Sequence, residues 1–400
     1  MNVVVEPKVR RRPAPGVRAA EFALAVGGFG IGTGEFASMG LLPNVATGLN
    51  VSVPTAGHII SGYALGVVVG APLLAVLGAR ISRRTLVLLL MAVFAVGNLA
   101  STLAPSYGWL VVLRFLSGLP HGAYFGTASL IAMSMAGPNG RAQAVGRVML
   151  GLTVATLLGM PAATWAGQTL GWRSAFAAVA AIGVLAVVLI GVFIPKDEPE
   201  PGASALRELG ALRQPQLWLT LGVGAVGFGG MFSVFSYITP TLVQVGGLSE
   251  MAVPFVLAVF GMGMILGVMV GGRLADRALM PTIGGVLAWN VAVLTLFYLT
   301  AGHGWMAVID VLLVGTGSAL VPPLQTRLMD VAAGAQTLPA ALNHSAFNVA
   351  NALGAWLGGV TIAAGDGWTS TCWVGALLAL GGLAFFAASL ATDTPRGAVA

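Results

Sequence analysis

Long apolar stretches broken by short polar or proline-containing connections run the length of the chain. They predict twelve helices, at approximately 19–44, 55–78, 85–104, 107–135, 140–168, 173–194, 216–244, 250–272, 280–301, 304–330, 336–363 and 368–392. Each holds the roughly 20 apolar residues that a bilayer core requires. The run from Phe36 to Ala79 contains no Lys, Arg, Asp or Glu, and Pro43, Asn44 and Pro54 at its centre predict two helices joined by a turn. One connection, Pro195 to Pro215, is long, polar and bounded by proline. The expected organisation is a basic tail (1–18), a six-helix bundle (19–194), a linker (195–215), a second six-helix bundle (216–392) and a short tail (393–400).

Composition turns this pattern into an all-α membrane protein. Among 400 residues there are 19 Lys and Arg and 13 Asp and Glu, a charged share of 8%, against about 25% in an ordinary soluble domain. So few charges cannot cover a water-soluble globule of this size, which excludes an ordinary soluble enzyme. Sorting the basic residues by connection places seventeen of the nineteen on one side, including Lys8, Arg10, Arg11, Arg12 and Arg18 of the tail. By the positive-inside rule both termini are cytoplasmic. Basic residues spread over many connections point to lipid rather than nucleic acid as partner. The tail is not read as a signal peptide, because the apolar run after it is too long, contains Glu35 and has no small-residue cleavage site. The Ala, Gly, Val and Arg bias points to a bacterial source and so to a bacterial inner membrane.

Cys372 is the single cysteine, and His58, His121, His303 and His344 are scattered, so no internal disulfide and no zinc-type spacing is available. No nucleotide-binding glycine loop occurs, and the connections are too short for an appended catalytic domain. The expectation is a protein without cofactor or metal that is not an enzyme.

The two halves carry traces of duplication. Phe36 and Phe232, Trp109 and Trp305, and Gly171-Trp172 and Gly367-Trp368 are each 196 residues apart, and GARISRR (Gly78 to Arg84) matches GGRLADR (Gly271 to Arg277). Fused six-helix repeats are a transporter architecture. The motifs GTGEFASMGLLPNVA (Gly32 to Ala46), RFLSGLPHGAYFG (Arg114 to Gly126), GLTVATLLGMPAATWAG (Gly151 to Gly167) and NHSAFNVANALGAWLGG (Asn343 to Gly359) resemble the major facilitator superfamily. Within it they resemble the twelve-helix drug and sugar efflux branch of arabinose-efflux-permease-like and chloramphenicol-exporter-like proteins. The resemblance covers nearly the whole chain and implies helices 1, 4, 7 and 10 around a central cavity. It also marks gating loops, Arg80, Arg83 and Arg84 in the first half and Arg273, Asp276 and Arg277 in the second. The sequence departs from the family pattern at Arg83, where an Asp is usual, and at Gly159-Met160-Pro161, where adjacent Gly-Pro is usual.

Charges inside apolar spans are costly and mark function by default. Glu35 and Arg114 fall at similar depth in the first and fourth spans, and on the implied arrangement they meet in the cavity. Burial disfavours a charged carboxylate and a nearby guanidinium favours it, so a change in their separation would load or release a proton. The alternative is a fixed ion pair that orients the two helices. His121 shares the Arg114 face by i, i+7 spacing and is either a second proton station or a neutral packing histidine. Asp310 occupies the repeat position of Arg114, as a substrate-facing charge or a solvated rim residue. His344, Asn348 and Asn351 lie on one helical face, for substrate hydroxyls or for interhelical bonds, while Phe36 and Tyr124 are further cavity candidates. Pro161, Pro322 and Pro323 are candidate helix bends. Gly66 and Gly70, like Gly263 and Gly267, form faces for close helix approach.

These features point to a monomeric secondary transporter whose ligands are protons and a small organic compound, exported by alternating access. Proton-linked or facilitated uptake of a sugar or metabolite is the alternative, and a non-transporting membrane sensor a remote one.

Overall fold

The computed structural model describes residues 15–78, 81–136, 141–197, 210–331 and 337–392. Within them the chain forms twelve helical rods. In the first half these are α1 (Pro15–Gly40, extended by Leu42–Leu49), α2 (Val53–Gly78), α3 (Arg83–Thr102), α4 (Tyr107–Gly118 and Pro120–Met135), α5 (Arg141–Val154 and Met160–Leu170) and α6 (Arg173–Phe193). In the second they are α7 (Pro215–Gly222, Gly229–Ser236 and Ile238–Pro240), α8 (Val253–Arg277), α9 (Leu279–Thr300), α10 (Gly304–Gly315 and Val321–Val331), α11 (Thr337–Ala364) and α12 (Ser370–Thr392). Ten of the rods contain helix long and apolar enough to cross a membrane. The other two are α1, which carries Glu21 and Glu35, and α4, which is broken at Leu119.

The breaks follow local chemistry. Pro120 and Pro161 lack the N–H that a continuing α-helix would donate, and a proline ring clashes with the carbonyl one turn back. Helix α4 restarts at Pro120, and α5 absorbs the conflict in a π-helical turn, Ala155–Gly159, just before Pro161. Pro322 and Pro323 open the last segment of α10, after a tight 3-10 turn at Thr316–Leu320. The turn between the first two spans lies later than the prolines suggest. Pro43 sits in the first turn of the Leu42–Leu49 helix, where the missing N–H costs nothing. The chain reverses instead beyond Asn50, whose left-handed φ of 53° ends that helix.

Packing repeats between the halves. Helix α1 lies on α5 and α6, α2 on α4, and α3 on α4 and α6; six helices later, α7 lies on α11 and α12, α8 on α10, and α9 on α10 and α12. The α2–α4 and α8–α10 pairs touch backbone to backbone. A methyl group at Gly66 or Gly118 would collide with the Phe115 or Tyr63 carbonyl, and one at Gly263 or Gly315 with the Leu312 or Phe260 carbonyl. The small-residue faces expected in the second and eighth spans thus serve close helix approach.

The halves meet along two seams, α2 with α11 and α5 with α8. Toward the face opposite the chain ends, the Thr239 hydroxyl of α7 donates to the Gly40 carbonyl of α1 at 2.9 Å. There too the Tyr237 ring lies between Gly57 of α2 and Gly359 of α11, and its hydroxyl donates to Ala355 O at 2.8 Å.

Candidate functional site: a buried cluster on four helices

Glu35, on α1, is 6% exposed and Arg114, on α4, is fully buried. They lie in one cluster without a direct ion pair. The Arg114 guanidinium donates through Nη2 to the Gly34 carbonyl at 3.0 Å and stacks over the Tyr63 ring of α2, 4.3 Å from its centroid. Its Nε and Nη1 have no hydrogen-bond partner. The Tyr63 hydroxyl shares a 3.1 Å hydrogen bond with Nδ1 of His121, and that nitrogen is 4.0 Å from Glu35 Oε2. One imidazole nitrogen therefore faces a phenol and a carboxyl together.

The second half closes this cluster through α11. Asn351 lies against the Glu35 carboxyl, with neither amide atom in a hydrogen bond of ordinary geometry. The His344 ring stacks parallel on Phe125, centroids 5.6 Å apart, and lies 6.1 Å from His121. On the other side of Glu35, Phe36 meets Phe235 of α7 edge to face at 6.1 Å, and Phe235 stacks on Phe260 of α8 at 3.9 Å. Aromatic contacts between the halves, Phe125 with His344 and Phe36 with Phe235, thus accompany the cluster.

Glu35, Arg114, His121, His344 and Asn351 are brought together, whereas other candidates are placed elsewhere. Tyr124 turns away into the first bundle, where its hydroxyl donates to Leu24 O of α1 at 2.7 Å. Asn348 donates to His344 O of its own helix at 2.9 Å, leaving its carbonyl oxygen free. Asp310 is not part of this cluster, and its side chain is covered rather than solvated. It is buried against Thr300 of α9, 2.6 Å away, and beside Cys372 of α12, because that face of α10 turns into its own bundle.

Sequence reasoning missed Tyr63 and Phe125. Tyr63 could have been found, since it shares a helical face with Gly66 and Gly70. Phe125 follows a motif tyrosine that drew attention instead.

Of the loop candidates, Arg83 and Arg84 are bonded within the first half. Arg80 lies outside the described residues. The backbone N–H groups of Arg83 and Arg84 donate to the Asp197 carboxylate at 2.9 and 3.1 Å, so an acid at the helix N-terminus is supplied from beyond α6. Arg84 donates in turn to Ile194 O and Gly191 O, both at 2.7 Å, capping the end of α6. Arg273, Asp276 and Arg277 are exposed at the end of α8, without a bond to a described residue. A pair not anticipated, Glu21 of α1 and Arg147 of α5, forms a bidentate bridge at 2.6 and 2.7 Å.

Two helical bundles of repeated packing that meet around buried ionisable groups have the architecture of a multi-pass membrane transporter. Residues 24–341 match the Major Facilitator Superfamily, and the chain belongs to that family. It is 41% identical over 358 residues to the inner membrane transport protein YdhP of Escherichia coli (strain K12), covering 89% of this chain and 92% of the relative. It is 32% identical to a chloramphenicol resistance protein of Streptomyces lividans, covering 89% and 92%. The crystal structure of a D-xylose-proton symporter has the same fold, with a TM-score of 0.70 at 18% identity over 92% of this chain and 97% of the other.

Proposed function

We propose that the chain exports a small organic compound in exchange for protons, by rocking the halves 19–194 and 216–392 about the cluster at Glu35. The observation that carries this reading is the position of Glu35. It is a buried carboxyl of one half, lying against Asn351 of the other, with a guanidinium nearby whose Nε and Nη1 are unpartnered. A carboxyl so placed is stable when protonated. If it loses its proton, Arg114 has two unpartnered nitrogens, Nε and Nη1, to donate to the anion, and His121 Nδ1 offers an acceptor 4.0 Å away. Parting the halves withdraws Asn351 and His344 and changes which groups face the carboxyl, so proton occupancy and conformation become linked.

Both termini are assigned to the cytoplasm, because that orientation puts seventeen of nineteen basic residues inside. The Gly40–Thr239 contact then closes the periplasmic side. Export is favoured by the likeness to a chloramphenicol resistance protein.

The test is a substrate panel that includes chloramphenicol, in proteoliposomes with an imposed pH gradient. The native chain should concentrate one substrate against its gradient as protons run down. Glu35→Gln should lose that concentrative step while keeping substrate exchange. Undiminished proton-driven transport in Glu35→Gln would remove the carboxyl from the mechanism, and accumulation in the opposite direction would make the protein an importer.

A further inference from the structure

Asp310 is a buried carboxyl on a membrane-spanning rod that this cycle leaves unused. It is 3% exposed, and among the described residues no Lys, Arg or His nitrogen lies within 4 Å of it. Among the described residues its one hydrogen bond is with the Thr300 hydroxyl, 2.6 Å from Oδ2. The same hydroxyl oxygen is 2.7 Å from the carbonyl of Leu296.

Counting hydrogens decides what sits there. A threonine hydroxyl carries one. If Asp310 were ionised, that hydrogen would face two acceptors, and one of the two short oxygen–oxygen contacts would hold no hydrogen at all. The carboxylate would also be nearly covered, at 3% exposure, with one protein hydrogen bond among the described residues and no opposite charge within 4 Å, an arrangement that costs free energy. With a proton on Asp310 both contacts are satisfied: the carboxyl donates to Thr300, and Thr300 donates to Leu296 O. The other titratable neighbour is Cys372, whose thiol approaches from α12 and supplies no positive charge. His303, which precedes α10, is exposed to solvent on the side where α9 ends.

We propose that Asp310 is a second proton-binding site, lodged in the second bundle and occupied in this conformation. It stands at the repeat position of Arg114, so where the first half buries a fixed cation the second buries an acid neutralised by its own ligand. The site is separate from Glu35 and does not rest on the exchange reading, since it would hold its proton whether or not Glu35 drives transport.

Infrared spectroscopy of the full chain in lipid, with carboxyl-labelled aspartate, tests this. The other described aspartates, Asp197, Asp276, Asp330 and Asp366, are all exposed, so substitution at Asp310 is what assigns a band. One protonated-carboxyl band is expected in the native chain. It should vanish in Asp310→Asn, persist in Glu35→Gln, and move to higher frequency in Thr300→Val, where the hydrogen-bond acceptor is gone. Asp310→Asn should melt with the native chain, because an amide donates the same bond. Should that variant fail to fold, the Thr300→Val shift alone decides. A native spectrum without the band, a band that survives Asp310→Asn, or one unmoved by Thr300→Val overturns the proposal.

Discussion

Tyr63 holds Arg114 and His121 with different parts of one side chain, its ring face beneath the guanidinium at 4.3 Å and its hydroxyl on the imidazole at 3.1 Å. The two functions separate by substitution. Tyr63→Phe keeps the ring, so its melting temperature should stay near native while the pH profile of transport changes, because His121 Nδ1 loses its partner. Tyr63→Leu removes the ring as well and should cost a further ~1–2 kcal/mol from the desolvated cation–π contact. Thermal melts alongside transport rates at several pH values check both.

The pair Glu21–Arg147 should be unequal in its two halves. Glu21 is buried, whereas Arg147 is about one-third exposed, so a lone arginine can reach water and a lone carboxylate cannot. Arg147→Ala should therefore destabilise more than Glu21→Ala, by about 1–3 kcal/mol for the charged hydrogen bonds lost. The double variant should cost less than the sum. Chemical denaturation in detergent provides the cycle.

Thr239→Val deletes a hydrogen bond between the halves without changing side-chain shape. Losing a bond of about 0.5–1.5 kcal/mol shifts the closed-to-open ratio on that face by up to roughly tenfold. Labelling of cysteines introduced beside Gly40 and Thr239 measures this directly, since native Cys372 is buried. Unchanged labelling would mean that the bond does not hold that face shut.

Glycine substitutions should divide sharply. Gly118→Ala drives a methyl into the Tyr63 carbonyl and should cost about 1–3 kcal/mol by overpacking. Gly126→Ala, on the same rod with nothing within 4 Å, should be neutral or stabilising by about 0.4–1 kcal/mol. Melting temperatures of the two variants, measured in one detergent, check the contrast.

Long apolar runs located all twelve rods, because a bilayer demands them and water demands polar connections. They did not locate the interruptions of α7, where glycine and apolar residues look alike whether the helix is α, π or broken at Tyr237. Glu35 and Arg114 were conspicuous because charge is rare in such runs, and the α11 face of His344 and Asn351 followed from spacing. Asp310 was misplaced for a specific reason. The repeat fixes its depth on α10, but the direction it faces depends on how that rod is rotated against α9 and α12, and a linear offset carries no information about rotation.

The glycine contacts shared by α2–α4 and α8–α10 have a mechanical consequence. Helices touching along their backbones cannot slide or bend past one another without collision, so each pair behaves as a stiff beam. Strain imposed by a ligand at Glu35 would then be carried undiminished to the far ends of the rods, some tens of ångströms away. On the proposed cycle, a small displacement beside that carboxyl would be levered into a change of aperture at the membrane surface.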